Sequence, residues 1–400
     1  MGMNKKLIKI YANFLALRGR TKAQRRLIRN RVYGKYGHPF GGGHLSENKI
    51  SVSAQDMTFP IDLLSTEKLM VLLVPEHNAM SGGIYSIFSI ANQMRRLKPV
   101  HGYDVVVMTR PVAGDLTYFR NTNFVNSENV FRFGQLLRCV SVKDLYVHIP
   151  EYAASNFCAD LKLEEREYLL ARDVLHINLL NQNIKLMPDW GDFKSLFDLT
   201  RSVTQSVAHH AYFSQEMANR YRIPTMFLPA YTDLSQYAPA GFDRRDRLIV
   251  YSLDKAPHKK ECLNRIASRF PDFELIEIKG ITFDKYMEYA TRCMFAITFG
   301  EGFDGYLAQP IQQGGVSFAV YNDDFFPSSR FKEYFNIFSS PEQMVDEICE
   351  RMSILLGDEA RYSALSAEFQ QEYKILYSYE EYVDQIRKLS LKQFEIAPLC

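Results

Sequence analysis

The fold is decided by residues 293–322, which read CMFAITFGEGFDGYLAQPIQQGGVSFAVYN. Residues 293–299 are apolar and are followed by a glycine, a pattern that predicts a buried strand. Three glycines between Gly300 and Gly305 predict a tight turn in which a ligand can approach the backbone. A short helical segment follows, and residues 316–321 form a second apolar run. The order strand, glycine turn, helix and strand predicts a βαβ crossover of a parallel sheet.

The glycine turn falls at the carboxyl end of the first of these strands. Ligands of parallel α/β sheets bind in the crevice beyond the carboxyl ends of the strands. The sequence therefore predicts that Glu301 and the glycines of the turn line a ligand site. The alternative is a structural turn that happens to contain one glutamate.

The same segment resembles the donor-binding signature of GT-B-type glycosyltransferases. Glu301, Gly302 and Phe303 match the head of that signature, and Gly-Gly-Val at residues 314–316 matches its tail. The resemblance implies that Glu301 orients the donor sugar. It also implies that Gly302, Phe303 and Gly305 belong to the donor-binding loop.

Two positions depart from the signature. The family's second glutamate, which holds the ribose hydroxyls, is replaced here by Gln309. An amide can still bond a hydroxyl, but without the help of a charge. Pro310 is the other departure, and it is expected to kink the helix or to delay its start.

A second candidate loop follows the apolar strand at residues 247–252. The resemblance implies an arginine and a lysine here to bind the donor diphosphate, but Ser252 stands at the arginine position. Lys255, Lys259 and Lys260 remain as phosphate candidates. Cations beside a helix N-terminus suit a diphosphate electrostatically. The alternative is that these lysines are merely solvated.

The first half of the chain opens in the same manner. A strand at residues 68–75 is followed by Gly82-Gly83 and by a helix with apolar residues at helical spacing. Glycines at a helix N-terminus can present N–H groups to an anion or a sugar. The G-x-G-x-x-G pattern of a dinucleotide site is absent. A packing turn without a ligand is the alternative.

His148 and Glu151 are the candidate reacting residues of the first half, at the end of the strand at 144–149. Resemblance to the family implies that His148 touches the donor sugar. Glu151 is the candidate general base if the reaction inverts configuration. His77 is an alternative to His148, and either histidine can instead be structural.

The expected architecture is α/β, with two Rossmann-like domains facing a cleft as in GT-B enzymes and a basic helical N-terminal extension. Residues 1–64 form the extension and a linker, and residues 65–240 form the acceptor domain. Residues 241–375 form the nucleotide-sugar donor domain. Residues 376–400 form a C-terminal helix that is expected to return to the first domain.

Composition separates a basic start from a mildly acidic remainder. The formal net charge is +2, yet residues 1–37 contain many Lys and Arg and no acidic residue. Apolar residues among these cations predict a helical arm that can bind an anionic membrane surface. A solvated arm or a helix packed on the main body is the alternative. The remaining chain has no basic stripe, so we expect no nucleic-acid partner.

The six cysteines show no metal-binding spacing and mostly occupy apolar segments, which favours reduced core residues and the cytoplasm. No apolar run reaches the roughly 18–20 residues that span a bilayer. The start of the chain lacks the apolar core of a signal peptide. We therefore expect a cytoplasmic protein that can be peripheral on the inner membrane.

The resemblance implies transfer of a hexose or deoxyhexose from a nucleotide diphosphate donor to a saccharide or lipid-linked acceptor. The combination of a basic arm, reduced cysteines and a GT-B-like second half resembles bacterial enzymes that build surface polysaccharides, including rhamnosyltransferase-like members. The sequence contains no Asp-x-Asp, which favours a metal-independent reaction, and we expect no cofactor. A sugar-nucleotide 2-epimerase is one alternative. A catalytically weak sugar-nucleotide-binding or assembly protein is the other.

Overall fold

A computed structural model describes most of the chain after residue 58. The described residues are 59–75, 82–110, 129–229, 231–281, 283–300, 302–303 and 305–399, together with Tyr11 and Phe14, which are helical and exposed. The rest of the predicted basic arm at residues 1–37 lies outside the described residues, as do His77 and Glu301. Among the described residues, no helix has the length and apolarity needed to cross a bilayer.

The first domain is built on a seven-stranded sheet in the order β3-β2-β1-β4-β5-β6-β7. Every neighbouring pair in it is parallel. The strands are β1 (Lys68–Val74), β2 (Asp104–Thr109), β3 (Val130–Arg132), β4 (Asp144–Pro150), β5 (Val174–Asn181), β6 (Val203–Val207) and β7 (Thr225–Phe227). The strand order reverses between β1 and β4, which makes the ends of these two strands the topological switch point.

The second domain is built on a five-stranded parallel sheet in the order β12-β11-β10-β8-β9. Its strands are β8 (Asp246–Tyr251), β9 (Glu274–Glu277), β10 (Cys293–Ile297), β11 (Val316–Val320) and β12 (Ile337–Phe338). The strand order reverses between β8 and β10. The predicted βαβ unit is confirmed, because β10 and β11 pair in parallel with Phe295 opposite Val316.

Helices cover both sheets, as expected for doubly wound α/β domains. They are α1 (Gly82–Arg96), α2 (Lys98–His101), α3 (Leu163–Leu170), α4 (Trp190–Phe193), α5 (Gln215–Tyr221), α6 (Lys259–Arg269), α7 (Phe283–Arg292), α8 (Gly305–Gln312), α9 (Pro341–Gly357), α10 (Glu359–Leu376) and α11 (Tyr379–Ser390). Pro310 does not delay α8, which begins at Gly305 and continues through the proline.

The C-terminal helix α11 packs on the first domain. Tyr382, Ile386 and Leu389 share an apolar cluster with the buried face of α1. The Tyr146 hydroxyl of β4 donates to the Leu389 carbonyl at 3.2 Å. The chain beyond α11 then reaches β7, where Ile396 pairs with the edge strand. The last helix therefore belongs to the first domain by its contacts.

The two sheets turn their carboxyl ends toward each other. Tyr85, near the start of α1 after β1, stacks on Phe283 at the start of α7 after β9, with ring centroids 5.7 Å apart. His209, after β6, meets Phe325, after β11, edge to face at 5.2 Å. Because each of these residues follows the carboxyl end of its strand, the carboxyl edges of the two sheets face each other across the domain boundary. This is the GT-B arrangement of two Rossmann-like domains.

Candidate functional site

The two candidate loops of the second domain meet at its switch point. Ile297 of β10 pairs with Tyr251 of β8, so the loops that follow these strands start side by side. The backbone N–H of Ser252 donates to the Ile297 carbonyl at 3.0 Å. The backbone N–H of Phe299 donates to the Ser252 hydroxyl at 2.9 Å. Ser252 is fully buried, so its side chain joins the two loops rather than facing a ligand.

Gly300 brings the glycine turn against the lysine loop. A Cβ atom added at Gly300 would lie 2.5 Å from a carboxylate oxygen of Asp254. Any larger residue at this position would therefore displace the Asp254 side chain. The glycine permits the close approach of the two loops, which is the role expected for glycine where backbones crowd a site.

The three candidate lysines have different surroundings. Lys259 Nζ donates to the Ser252 carbonyl at 2.6 Å and to the Asp254 carbonyl at 3.2 Å, and it forms an ion pair with Glu277 at 2.9 Å. Its charge is therefore committed to holding the loop. Lys255 and Lys260 are exposed beside the start of α6. These two side chains are the cations that a diphosphate could meet at the loop surface.

Gly302 and Phe303 are further described residues of the glycine turn. Gly302 has a φ of 90°, and a Cβ there would lie 2.7 Å from the Val320 carbonyl oxygen. Phe303 is buried in a cluster of aromatic rings, where it meets Phe326 edge to face at 5.4 Å. The Phe303 side chain thus anchors the turn, and its ring is not presented to a ligand.

Gln309 lies next to the first residue of α8. A Cβ at Gly305 would lie 3.0 Å from the Gln309 side-chain oxygen, so the amide lies against the helix N-terminus. Gln309 is half-buried. Its amide can bond a hydroxyl at the edge of the switch point, as predicted for the ribose contact. No contact in the structure tests that prediction.

Gly314 and Gly315, at the tail of the signature, pack against Ala240 and Arg245 at the linker between the domains. Gly314 has a φ of 89°, and a Cβ there would lie 2.5 Å from the Ala240 carbonyl oxygen. The buried Arg245 guanidinium donates to the Cys293 carbonyl at 2.6 Å and to the Ala240 carbonyl at 2.8 Å. It also donates to the Gln313 carbonyl. Arg245 thus ties the linker to β10 and to the end of α8.

Glu151 lies immediately after β4, at the switch point of the first domain. It is only 4% exposed, and burial raises the pKa of its carboxyl to about 7. The backbone N–H of Gln182, which follows β5, donates to the Glu151 carboxylate at 3.3 Å. Backbone hydrogen bonds from Gln182 and Asn183 oppose the effect of burial on this pKa. A carboxyl whose pKa is near neutral can exchange protons at working pH.

Gln182 connects Glu151 to the start of α1 and to the end of β6. A Cβ at Gly83 would lie 2.7 Å from the Gln182 side-chain oxygen, so only a glycine lets this amide approach α1. Nothing lies within 4 Å of a Cβ at Gly82. On its other side, Gln182 accepts a hydrogen bond at its carbonyl from His209 Nε2 at 3.1 Å.

Sequence reasoning missed Gln182 and His209. Each directly or closely follows an apolar strand, β5 or β6, and polar residues at such positions are the one signal that could have found them. Burial lowers the pKa of His209 to about 4, so its ring is neutral at ordinary pH. His209 is therefore a hydrogen-bond donor at this site and not a charge.

His148 does not reach the surface of the cleft. It is fully buried in β4, and its ring packs on Tyr146 with centroids 4.2 Å apart. Asn178 Nδ2 lies 3.4 Å from His148 Nδ1, while Nε2 has no hydrogen-bond partner among the described residues. Burial lowers the pKa of His148 to about 3. In this conformation the imidazole has no surface that a sugar can touch.

Within the described ranges, no group of three or more His, Cys, Asp or Glu side chains is arranged to hold a metal ion. The polar groups at the two switch points are instead single carboxylates, amides, lysines and backbone N–H groups.

Comparison with known proteins finds similarity of structure but no match in sequence. No protein-family model matches the sequence, and no curated protein matches it. A glycosyltransferase from Rickettsia africae is similar with a TM-score of 0.45 and 10% identity, covering 82% of this chain and 100% of that one. The UDP-GlcNAc 2-epimerase from Neisseria meningitidis, bound to UDP-GlcNAc, has a TM-score of 0.44 and 6% identity, covering 81% and 99%. The T4 phage β-glucosyltransferase has a TM-score of 0.40 and 9% identity, covering 82% and 100%.

Proposed function

We propose that this protein is a glycosyltransferase that moves a sugar from a nucleotide diphosphate donor to an acceptor hydroxyl. One observation carries the proposal. The lysine loop after β8 and the glycine turn after β10 are joined through Ser252 at the switch point of the second sheet. That point is where open α/β sheets bind nucleotides. This contact supports the assignment of the two segments with donor-binding character in the sequence to one site.

The donor diphosphate is assigned to the surface formed by Lys255, Lys260 and the N-terminus of α6. Negative charge grows on the leaving diphosphate as the bond to the sugar breaks, and lysines and helix N-termini stabilise such charge without a metal. Gln309 is assigned to the ribose, and Glu301, outside the described residues, to the donor sugar. Lys259 and Ser252 hold the loop in shape and are assigned no ligand contact through their side chains.

Glu151 is the proposed general base. It takes the proton from the acceptor hydroxyl as the hydroxyl oxygen bonds to the anomeric carbon, and the nucleoside diphosphate leaves from the opposite side. This assignment gives inversion of configuration. The supports are its place at the switch point of the first sheet and a pKa of about 7, caused by burial. His148 is assigned no substrate contact because it is fully buried.

The substrate classes are proposed from the resemblance of the sequence to surface-polysaccharide transferases. We assign the donor a hexose or deoxyhexose, and the acceptor a saccharide or a lipid-linked saccharide of polysaccharide biosynthesis. The basic residues at 1–37 suit an anionic membrane surface, where a lipid-linked acceptor would be found. A vesicle sedimentation assay tests this assignment, since removal of residues 1–37 should release the protein from anionic vesicles. Unchanged sedimentation of the shortened protein with the vesicles would contradict the membrane assignment. It would not bear on the proposed donor site.

The donor site is tested by thermal unfolding with UDP, dTDP, GDP, CDP and ADP, each in excess. A ligand at about 100 times its Kd stabilises a protein by about 2.7 kcal/mol, which raises the unfolding midpoint measurably. We expect one nucleotide to raise the midpoint of the wild type. A Lys255→Ala/Lys260→Ala double variant should lose most of that rise.

Lys374→Ala is the matched control, because Lys374 is an exposed lysine of α10 in the same domain. It should keep the full nucleotide-dependent rise. Absence of a rise with every nucleotide would contradict the proposed donor site. If Lys374→Ala lost as much of the nucleotide-dependent rise in the midpoint, Lys255 and Lys260 would affect nucleotide binding only through the net charge of the protein.

A further inference from the structure

The segment after β5 contacts Glu151 at one end and the second domain at the other. Gln182 donates its N–H to the Glu151 carboxylate, and Asn183 also supplies a backbone hydrogen bond to it. Two residues later, Lys185 lies 4.6 Å from the centroid of the Phe325 ring and 3.7 Å from Asp324, both in the second domain. Two of the backbone donors to the Glu151 carboxylate, those of Gln182 and Asn183, are therefore carried by a segment that also touches the second domain.

His209 fixes the peptide unit that carries one of these donors. The Gln182 carbonyl and the Asn183 N–H belong to a single planar peptide group. His209 Nε2 donates to that carbonyl at 3.1 Å, because a carbonyl oxygen can only accept. The hydrogen bond therefore also sets the orientation of the Asn183 N–H, which lies in the same peptide plane and points in the opposite direction to the carbonyl. Phe325 of the second domain in turn packs edge to face on the His209 ring.

We infer that His209 is a positioning residue, which holds the Gln182–Asn183 peptide group so that its N–H faces Glu151 and which is itself held by Phe325. The candidate base is then oriented by contact between the two domains. The catalytic meaning of this inference rests on the proposed function. The geometric part concerns only how Glu151 is held, and it can be tested without a substrate.

The test determines the pKa of Glu151 from the pH dependence of the protein's stability. The unfolding midpoint of each protein is measured from pH 5 to pH 9, and that of the same protein carrying Glu151→Gln is subtracted. The difference falls as pH rises above the unfolded-state pKa of the carboxyl and levels off near the native pKa of Glu151, and this inflection is the quantity measured. His209 is neutral in the native state because burial lowers its pKa to about 4, and its protonation in the unfolded state cancels in the subtraction. The inflection therefore reports Glu151 and not His209.

His209→Leu keeps the bulk of the ring but removes the donor. We expect the inflection to move upward by about half to one pH unit, because a carboxylate that loses an N–H donor while still buried is harder to ionise. His209→Gln places an amide N–H near the position of Nε2 and should restore the inflection of the wild type. If His209→Leu does not fold, His209→Asn replaces it, since its shorter amide does not reach the Gln182 carbonyl.

His210→Leu is the matched control, since the adjacent His210 packs on Phe227 and Tyr377 rather than on the segment after β5. Its inflection should equal that of the wild type. An unchanged inflection in His209→Leu would overturn the inference, and so would an equal shift in His209→Gln or in His210→Leu. Because no ligand is present, a shift with the expected pattern supports the inference even if no nucleotide binds and the proposed function fails.

Discussion

The Ser252 hydroxyl accepts a hydrogen bond from the backbone N–H of Phe299 at 2.9 Å. This bond joins the end of β8 to the glycine turn after β10, and Ser252 is fully buried. The Ser252 side chain, at the position where the resemblance implies a phosphate-binding arginine, thus holds together the two loops of the proposed donor site. Loss of the Ser252 hydroxyl should therefore lower both the stability of the protein and its affinity for a nucleotide.

Ser252→Ala should lower the free energy of unfolding by about 1–3 kcal/mol, because the Phe299 N–H is left buried without an acceptor. Urea denaturation measures the change. Ser353→Ala is the control, since the Ser353 hydroxyl only bonds back to the Cys349 carbonyl within α9, and it should cost less than about 0.5 kcal/mol. Equal costs for both variants would contradict a special role for the buried bond.

Gly302→Ala should destabilise the protein by about 1–3 kcal/mol, because the φ of 90° is unfavourable for alanine and its Cβ would meet the Val320 carbonyl at 2.7 Å. Gly357→Ala, at the end of α9, provides the control. Nothing lies within 4 Å of a Cβ there, so the variant should be neutral or slightly more stable. Thermal unfolding of the two variants compares them, and a neutral Gly302→Ala would show that the turn adapts.

Arg245→Met should cost about 3 kcal/mol or more, because the buried carbonyls of Cys293 and Gln313 and the half-buried carbonyl of Ala240 lose a charged donor. Arg245→Lys, which keeps the charge but not the planar fork, should recover only part of the loss. Urea denaturation measures both variants. If lysine restored full stability, a point charge would suffice and the fork geometry would not matter.

Glu151→Gln should become more stable relative to the wild type as pH rises. Burial raises the pKa of the native carboxyl to about 7 from its ordinary value of 4.5. The native state therefore binds the proton more tightly than the unfolded state, so wild-type stability falls as pH rises from 4.5 to about 7. The glutamine variant lacks this loss, and its relative gain reaches at most about 3 kcal/mol above pH 7.

Unfolding at pH 5 and pH 8 measures this difference between the two proteins. Repeating it at 1 M salt should leave the difference nearly unchanged, because its cause is burial and not a screened surface charge. A difference that does not depend on pH would show that Glu151 ionises as an ordinary carboxyl.

The local order of the chain near β10 could be predicted from sequence because each element there is short and clearly bounded. The apolar run of β10, the glycines and the apolar run of β11 each indicate one element, and a parallel crossover joins them in only one common way. The meeting of the lysine loop with the glycine turn also follows once both strands are known to lie at a switch point.

The sites of His148 and His209 could not be predicted in this way, because both depend on contacts between segments far apart in the chain. The sequence predicts that His148 ends a strand at the cleft, but the Tyr146 ring that packs on it is covered by the C-terminal helix through Leu389. His209 acquires its role from Gln182 and from Phe325 in the other domain. No local pattern in the sequence indicates either contact.

The central claim is sugar transfer, and the most direct test is release of nucleoside diphosphate from a panel of nucleotide-activated hexoses and deoxyhexoses. The panel is incubated with a saccharide and glycolipid extract, and the product is followed by mass spectrometry. We predict release coupled to a glycosylated product for one donor, slower by about 100-fold in Glu151→Gln and unchanged in Lys374→Ala. Tight binding of a nucleotide without release from any donor would contradict the claim and favour a sugar-nucleotide-binding protein.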